Sequence, residues 1–219
     1  VQYCYIVTAK FPDGAESIAS KEKCDVLVRG IPAITNVDVL ETSPDAGKIH
    51  LKWAYPTEFD STDAPGPYMY RIYHSPDFWG NSLEVIDSVK GLKNTEYIHE
   101  GINTRDDPHS YMIVFWNITP GNRFPVGTPQ IASSLFVEPF AGVGEQLTLN
   151  YHSNTPWTDT SYTIFRKSGP DGTFDSIATT PDRQFVDTGL ENNKEYWYKV
   201  RSKGYYSITE GNVPDPIYN

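Results

Sequence analysis

One strand pattern occurs three times along this chain of 219 residues. The three copies are Tyr3-Cys-Tyr-Ile-Val7, Tyr111-Met-Ile-Val-Phe115 and Tyr196-Trp-Tyr-Lys-Val200, each with a large apolar residue at every second position. A period of two predicts a β-strand with one buried face. Because the last two copies lie in longer stretches that also match each other, we predict an array of similar β units. Such arrays usually connect and bind, and they rarely catalyse.

Composition limits the fold and the partners. The length suits one large domain or two β-sandwiches of about 100 residues each. The 15 Tyr, 10 Phe and 5 Trp supply bulky side chains for the cores, and 17 Pro and 16 Gly disfavour long helices. The formal charge of −10 argues against nucleic acid and against insertion into or binding to an anionic membrane. We therefore expect an all-β protein with neither partner.

The two cysteines, Cys4 and Cys24, predict a disulfide. Folding residues 3–9 back on residues 19–25 about the turn Pro12-Asp13-Gly14 places them directly opposite each other. Opposed residues in an antiparallel pair lie about 4.5–5.5 Å apart at Cα, within disulfide reach. Closing a loop of about 20 residues would contribute about 3 kcal/mol in the chain-entropy model and implies an oxidising compartment. The alternative is two free thiols in a cytosolic protein.

Turn signals divide the chain into three units. We predict that residues 1–29 form the C-terminal hairpin of a truncated sandwich, and that residues 30–138 and 139–219 form one complete sandwich each. Residues 130–137 are predicted as the last strand of the second unit, and residues 211–219 as a linker or ragged end. About seven short strands per unit, separated by turns, are typical of a β-sandwich.

With these units in place, the chain resembles the fibronectin type III family. That family has a Trp on its second strand, an aromatic-x-hydrophobic third strand, and a Leu followed six residues later by a Tyr on its sixth. The matching positions are Trp53, Tyr70, Ile72, Leu190 and Tyr196. The resemblance covers nearly the whole chain, and it implies tandem immunoglobulin-like, fibronectin type III-like β-sandwiches.

The same resemblance implies structural tyrosine corners. In such sandwiches the hydroxyl of this Tyr bonds to the backbone a few residues upstream. The residues in the matching positions are Tyr111 and Tyr196, with Tyr3 in the truncated unit. In the second unit the interval from Ile102 to Tyr111 is nine residues, so the turn there is enlarged.

A narrower resemblance is to the tandem type III repeats of gliding-motility-associated proteins of Bacteroidetes. It lies in the Tyr3-Cys-Tyr strand followed by Phe11-Pro-Asp-Gly-Ala-Glu-Ser17, and in three further motifs: Pro156-Trp157, Gly169-Pro-Asp-Gly-x-Phe174 and Asp187-Thr-Gly-Leu190. Such proteins are large and exported, often through the type IX secretion system. The resemblance implies an extracellular or cell-surface location on a bacterium.

No pattern of catalytic or metal-binding residues stands out. The 5 histidines show no His-Glu-x-x-His spacing, and we expect His50 and His74 to face solvent because they alternate with core residues. Two acidic clusters lack EF-hand spacing. We interpret them as solvated loops, and calcium binding is the alternative. They are Glu58 with Asp60 and Asp63, and Asp106-Asp107. We therefore expect no enzyme activity, no catalytic or metal-ligating residue and no cofactor.

Aromatic residues in loops are the candidates for ligand binding, because aromatic faces stack on sugars and anchor protein interfaces. They are Phe78, Trp79, Phe124 and Trp157. Trp157 has an alternative role in an interdomain contact, since its loop lies at the pole facing the preceding domain in type III sandwiches. For Phe78 and Trp79, the alternative is that they pack over the edge of their own sheet.

Together these features predict a non-catalytic spacer and interaction module of an exported, multidomain cell-surface protein. Its partners would be neighbouring domains of the same protein, and cell-surface proteins or glycans. Two alternatives stay open. A carbohydrate-binding accessory module would show a coplanar, exposed pair of aromatic rings. An adhesive protein-binding module would use the enlarged loops at residues 54–67 and 117–129, which should share one pole of the second unit.

Overall fold

The computed structural model describes residues 2–26, 31–56, 59–127, 129–142, 144–206 and 213–219, and its secondary structure is entirely β. The first two strands, β1 (Gln2–Tyr5) and β2 (Lys23–Val26), form an antiparallel pair. Cys4 lies opposite Cys24, so the predicted register is confirmed. No helix among the described residues has the length and apolarity needed to cross a membrane.

The hairpin strands are shorter than predicted because serine side chains replace part of the ladder. The Ser20 hydroxyl accepts the N–H of Val7 at 3.0 Å, and the Ser17 hydroxyl accepts the N–H of Ala9 at 2.8 Å. Serine hydroxyls compete in this way with backbone acceptors. Regular pairing therefore ends at Tyr5. Beyond it, Ser20 N–H donates to Val7 O at 2.9 Å and Ser17 N–H donates to Ala9 O at 2.8 Å, and Lys10 and Glu16 form a bridge.

The cysteine register gives a direct test of the predicted disulfide. We expect the denatured, unreduced protein to contain no titratable thiol, because opposed cysteines of an antiparallel pair lie within bonding reach. Thiol titration in denaturant, with a reduced sample as the control for two thiols, measures this. Two thiols without reductant would contradict both the disulfide and the oxidising compartment that it implies.

Strands β3 to β10 form the middle sandwich. One sheet has the order β3-β4-β7, with β3 (Ala33–Glu41), β4 (Gly47–Ala54) and β7 (Glu96–Ile102). The other sheet has the order β10-β8-β5-β6, and β9 also pairs with β8. Its strands are β5 (Tyr68–Ser75), β6 (Glu84–Lys90), β8 (Ser110–Thr119), β9 (Asn122–Val126) and β10 (Ile131–Ser133).

Strands β11 to β17 repeat this arrangement as the C-terminal sandwich. The orders are β11-β12-β15 and β14-β13-β16-β17. The strands are β11 (Phe136–Ala141), β12 (Gln146–His152), β13 (Thr158–Ser168), β14 (Asp175–Thr180), β15 (Gln184–Thr188), β16 (Tyr196–Tyr205) and β17 (Ile217–Tyr218). The prediction of an all-β chain with tandem fibronectin type III-like sandwiches is confirmed.

Each sandwich buries an aromatic pair with one ring from each sheet in its core. In the middle sandwich the Trp53 and Tyr70 rings lie 5.2 Å apart, edge to face. In the C-terminal sandwich Tyr151 takes the position of Trp53, and its ring lies 4.8 Å from that of Tyr162. Both tyrosines on the second sheets are fully or nearly fully buried. Aromatic pairs of this geometry add about 0.5–1.5 kcal/mol beyond their buried area.

The prediction of a single strand at residues 130–137 is wrong, because two strands lie there. β10 ends at Ser133, and β11 begins at Phe136 and pairs with β12 of the next sandwich. The boundary predicted between residues 138 and 139 lies inside β11. The connector Ser134-Leu135 contains no Gly or Pro, so the apolar pattern runs across it without a turn signal.

The tail predicted as a linker at residues 211–219 contains a strand. Ile217 is 2% exposed, and β17 pairs with β16. The sequence did not predict this strand because Pro214 and Pro216 lie just before it, and proline normally argues against strand structure. Residues 211 and 212 lie outside the described part.

The two enlarged loops of the middle sandwich share one pole, as predicted. Gly66 N–H donates to Asn117 Oδ1 at 3.0 Å, and Ile118 N–H donates to Pro67 O at 2.8 Å. The segment predicted as a loop at residues 117–129 is wrong in part, because it contains the end of β8 and all of β9. These hydrogen bonds fasten the 54–67 loop to the β8–β9 hairpin.

Candidate functional site

The connector between the two sandwiches is hydrogen-bonded to both of them. Ser133 and Ser134 are 0% and 2% exposed. Ser133 N–H donates to Asn154 O at 2.7 Å, and Asn154 N–H donates to the Ser133 hydroxyl at 2.7 Å. Ser134 N–H donates to His109 O at 2.8 Å. Buried bonds of this kind are costly to break, so the connector holds a fixed conformation. We call this region, with the contacts described next, the joint.

Trp157 lies inside the joint. Its side chain is 4% exposed, and it packs with Ile34 in the core of the middle sandwich. The indole Nε1–H donates to Asp159 Oδ1 at 3.0 Å, and the ring lies 5.8 Å from that of Tyr206. Because the ring is covered, it has no free face for a ligand. The assignment of Trp157 as a candidate ligand-binding residue is therefore corrected to a residue of the joint.

Two neighbours of Trp157 fix its position. Tyr206 donates its hydroxyl proton to Ile34 O, and burial raises the pKa of Tyr206, so the hydroxyl stays protonated. Gly204 also lies against the indole. A Cβ atom there would lie 2.6 Å from Trp157 Cδ1 and 2.7 Å from Thr158 O. Only glycine lets the strand approach the ring this closely.

The last residues of the chain close the joint. Asn36 Nδ2–H donates to Tyr218 O at 2.6 Å, and Val37 N–H donates to Asn219 Oδ1 at 2.7 Å. Ser202 N–H donates to Asn219 O at 2.7 Å. β17 thus contacts both sandwiches. Sequence reasoning missed these residues, because two prolines and a two-residue strand give no periodic signal.

The turn after β5 separates the predicted pair Phe78 and Trp79. Asp77 Oδ1 accepts the N–H groups of Trp79 at 2.6 Å and Gly80 at 2.7 Å, which fixes the turn. The Phe78 ring lies 6.1 Å from that of Phe136 in the C-terminal sandwich, whereas Trp79 is 65% exposed. These two residues do not form the exposed ring pair that the carbohydrate alternative requires.

Phe124 lies at the far end of β8 from the joint. It is half-buried on β9 and lies opposite Asn117. The four aromatic candidates are therefore not brought together: Phe78 and Trp157 belong to the joint, Trp79 is exposed beside it, and Phe124 lies at the pole of the enlarged loops.

The tyrosines predicted as corners make two different contacts. The Tyr196 hydroxyl accepts the N–H of Glu191 at 3.0 Å, which is the geometry of a tyrosine corner. The Tyr111 hydroxyl instead lies 3.0 Å from His99 Nδ1, so this assignment is corrected. The longer turn before Tyr111 moves the upstream backbone away, and the imidazole replaces it. The Tyr3 side chain lies outside the described part.

A cluster of three histidines was not predicted. His74, expected to face solvent, lies with its Nε2 2.8 Å from His109 Nδ1, and its ring is 4.7 Å from that of His99. His109 Nε2 lies 2.7 Å from Asn103 O. A carbonyl only accepts, so His109 carries its proton on Nε2, and its Nδ1 accepts from His74 Nε2–H. This arrangement needs a neutral imidazole at His109.

Burial keeps the cluster neutral. Desolvation lowers the pKa of His74 to about 3, and it also lowers the pKa of His99 and of His109. The three residues lie on different elements, 25 and 10 residues apart in sequence, so no spacing motif links them. His50, also expected to face solvent, is partly covered, with Nε2 3.3 Å from Glu96 Oε2.

The acidic loops contain turns. Asp60 Oδ1 accepts the N–H groups of Thr62 at 2.7 Å and Asp63 at 3.3 Å, and these bonds lower the pKa of Asp60. Arg105 Nε–H donates to Asp106 Oδ1 at 3.2 Å. Glu58 lies outside the described residues. Within the described ranges, no group of three or more His, Cys, Asp or Glu side chains is placed to hold a metal ion.

No protein-family model matches the chain, and no curated protein matches it. Among solved structures, the chain is similar to the chicken CNTN1 FN1–FN3 domains at 12% identity, covering 93% of this chain and 72% of that one, with a TM-score of 0.28. It is also similar to a segment of two fibronectin type III domains from chicken tenascin, at 14% identity, covering 85% and 97%, with a TM-score of 0.26.

Proposed function

We propose that this chain is a non-catalytic spacer and interaction module of an exported, multidomain cell-surface protein. The joint is the observation that supports it. Trp157 and Ile217, both from the C-terminal sandwich, pack into the same apolar cluster as Ile34 and Val37 of the middle sandwich. A hinge between independent domains would need a smaller and more polar contact. Two sandwiches that share buried side chains act as one stiff rod.

Export and a cell-surface location are the more specific part of this proposal. The disulfide predicted for the opposed Cys4 and Cys24 would form in an oxidising compartment. The resemblance to gliding-motility-associated surface proteins points the same way. The adhesive alternative keeps one supporting observation, the fastening of the 54–67 loop to the β8–β9 hairpin. The carbohydrate alternative loses its ring pair, because Phe78 packs in the joint.

Stiffness can be measured by residual dipolar couplings of backbone amides in an aligning medium. We expect the couplings of the middle and C-terminal sandwiches to fit one alignment tensor, because the joint fixes their relative orientation. The control is an insertion of two Gly-Gly-Ser repeats between Ser134 and Leu135. The insertion should reduce the magnitude of the alignment tensor for one of the two sandwiches. Two different tensors in the wild type would contradict the spacer role.

A further inference from the structure

The histidine cluster is bonded to the connector of the joint through His109. This residue is 3% exposed and comes directly before β8. Its carbonyl accepts the N–H of Ser134 at 2.8 Å, and its own N–H donates to the Ser134 hydroxyl at 3.2 Å. His109 therefore holds the connector with its backbone and takes part in the histidine cluster with its side chain.

His74 gives the cluster a second link to the joint. It lies near the end of β5, four residues before Phe78. Phe78 O accepts the Asn154 Nδ2–H at 3.0 Å, and the Phe78 ring lies 6.1 Å from that of Phe136. Both histidines of the 2.8 Å pair therefore lie close in sequence to residues that contact the C-terminal sandwich or its connector. A change in the separation of the two rings would reach these contacts.

The hydrogen bonds determine where an added proton would go on His109. Nε2 already carries a proton, because Asn103 O lies 2.7 Å away and can only accept. The added proton would therefore go to Nδ1, which lies 2.8 Å from His74 Nε2 and accepts its N–H. Moving the His74 proton to its other nitrogen would remove the clash of donors, but it would leave a positive charge on a buried pair. Protonation is therefore unfavourable as long as the cluster stays closed.

Two carboxylates favour a positive charge on the pair. They are Asp77, in the turn after β5, and Asp107, in the turn before β8. Burial opposes the charge more strongly, so the pKa of His74 and the pKa of His109 are both lowered. The Asp77 carboxylate also accepts backbone N–H groups of its own turn. The two carboxylates therefore do not compensate for burial of a charged imidazole.

Further titratable groups around the cluster are neutral or paired. His99 Nδ1 lies 3.0 Å from the Tyr111 hydroxyl, and burial lowers the pKa of His99 and raises that of Tyr111. Burial also raises the pKa of Tyr97, whose ring lies 6.4 Å from that of His99. Two further pairs lie at the turn before β8 and in the C-terminal sandwich: Arg105 with Asp106 at 3.2 Å, and His152 with Glu138 at 3.7 Å.

We propose that the joint responds to pH: protonation of the pair of His74 and His109 releases the connector from the middle sandwich while that sandwich stays folded. Release lets water reach His109, so the open state binds more protons than the closed state. Closure is therefore favoured above the ordinary histidine pKa of about 6.5 and weakens as the pH falls below it. This proposal concerns the regulation of the stiff module proposed above and rests on that role.

The size of the effect follows from the linkage between proton binding and opening. A histidine with a pKa of about 6.5 in the open state, which stays neutral in the closed state, raises the opening constant about 25-fold between pH 7.0 and pH 5.0. Because His109 keeps some proton affinity in the closed state, we expect a rise of at least about tenfold. Acid should therefore loosen the rod at the joint.

Amide hydrogen exchange of the whole chain at pH 7.0 and pH 5.0, corrected for the intrinsic effect of pH on the rate, tests this proposal. The Ser134 amide, which donates to His109 O, reports release of the connector. The Tyr70 amide, on the central strand β5, reports unfolding of the middle sandwich. We expect protection of Ser134 to fall at least about tenfold between the two pH values and to stay at least about tenfold below that of Tyr70 at pH 5.0. Unchanged protection of Ser134, or equal protection of both amides at pH 5.0, would overturn the proposal.

The variant His109→Gln tests the role of the imidazole. It keeps the hydrogen bonds between the backbone of residue 109 and Ser134 and removes the titrating ring, so the fall in Ser134 protection should shrink to at most about threefold. His50→Gln is the matched control, because His50 lies on β4 beside Glu96, outside the cluster, and this variant should retain the full fall. A full fall in His109→Gln would overturn the proposal. If His109→Gln does not fold, the comparison of Ser134 with Tyr70 in the wild type decides alone.

The switch and the stiff module fail separately in these experiments. Dipolar couplings measured at pH 7.0 test the module, and the exchange series tests the switch. One alignment tensor at pH 7.0 together with constant protection of Ser134 would overturn the switch and leave the stiff module intact. Two tensors at pH 7.0 would overturn both.

Discussion

Acidification from pH 6.5 to pH 4.5 is expected to destabilise the middle sandwich through its histidine cluster. The cause is the hydrogen bond between His74 Nε2 and His109 Nδ1, at 2.8 Å, which requires a neutral acceptor nitrogen. A proton added to His109 Nδ1 would face a donor, and burial disfavours a charge on either ring by more than the nearby Asp77 and Asp107 carboxylates favour it. The folded state therefore resists protonation, while the unfolded chain accepts protons freely.

The sign follows from the lowered pKa values. Burial lowers the pKa of His74 from 6.5 to about 3 in the folded state, so its contribution is fully present above pH 6.5 and is lost as the pH falls below it. A full proton difference over two pH units is about 2.7 kcal/mol. Discounted for the partial solvent access of the ring, the loss from His74 is about 1–2 kcal/mol. His99 and His109 add losses in the same direction, since burial lowers both pKa values.

Urea unfolding at a series of pH values, with wild type and two single variants, measures this effect. His74→Phe removes one titrating ring and keeps an aromatic side chain beside Tyr111, 5.1 Å away in the wild type. It should flatten the fall in unfolding free energy below pH 6.5 by about 1–2 kcal/mol. His152→Gln is the matched control, because His152 is exposed in the C-terminal sandwich. Equal pH profiles for all three proteins would contradict the role of the cluster.

Replacing Trp157 by alanine is expected to cost about 3–5 kcal/mol of unfolding free energy, the usual loss for a buried tryptophan. The ring is 4% exposed and touches the core of the middle sandwich. The variant also leaves Asp159 Oδ1 without the indole donor at 3.0 Å. Because the ring contributes to both sandwiches, we expect calorimetry of Trp157→Ala to show two separated transitions where the wild type shows one.

The chain provides a matched control for this substitution. Trp79 is 65% exposed, and Trp79→Ala should change the unfolding free energy by no more than about 0.5 kcal/mol. Urea unfolding of the two variants and the wild type separates loss of a buried ring from loss of any tryptophan. If Trp157→Ala is as stable as Trp79→Ala, the ring does not couple the sandwiches and the joint needs another explanation.

The local features of the fold were determined by the sequence itself. A period of two marks β4, in which Ile49, Leu51 and Trp53 are buried in alternation. The fold-back at Pro12-Asp13-Gly14 predicted Cys4 opposite Cys24, but Lys10 pairs with Glu16 beside the turn, so the register shifts by two residues between these two pairs. Side-chain direction in a strand depends only on parity, so it can be read from neighbouring residues.

The joint and the histidine cluster were decided only by the tertiary structure. Trp157 lies in a loop of the sequence, and residues far from it in the chain, among them Ile34 and Tyr206, bury its ring. His74 follows the alternation of its strand, yet it is paired with His109 from a distant turn. Each is a contact between residues far apart in the chain, set by how the sheets pack, and local periodicity carries no information about it.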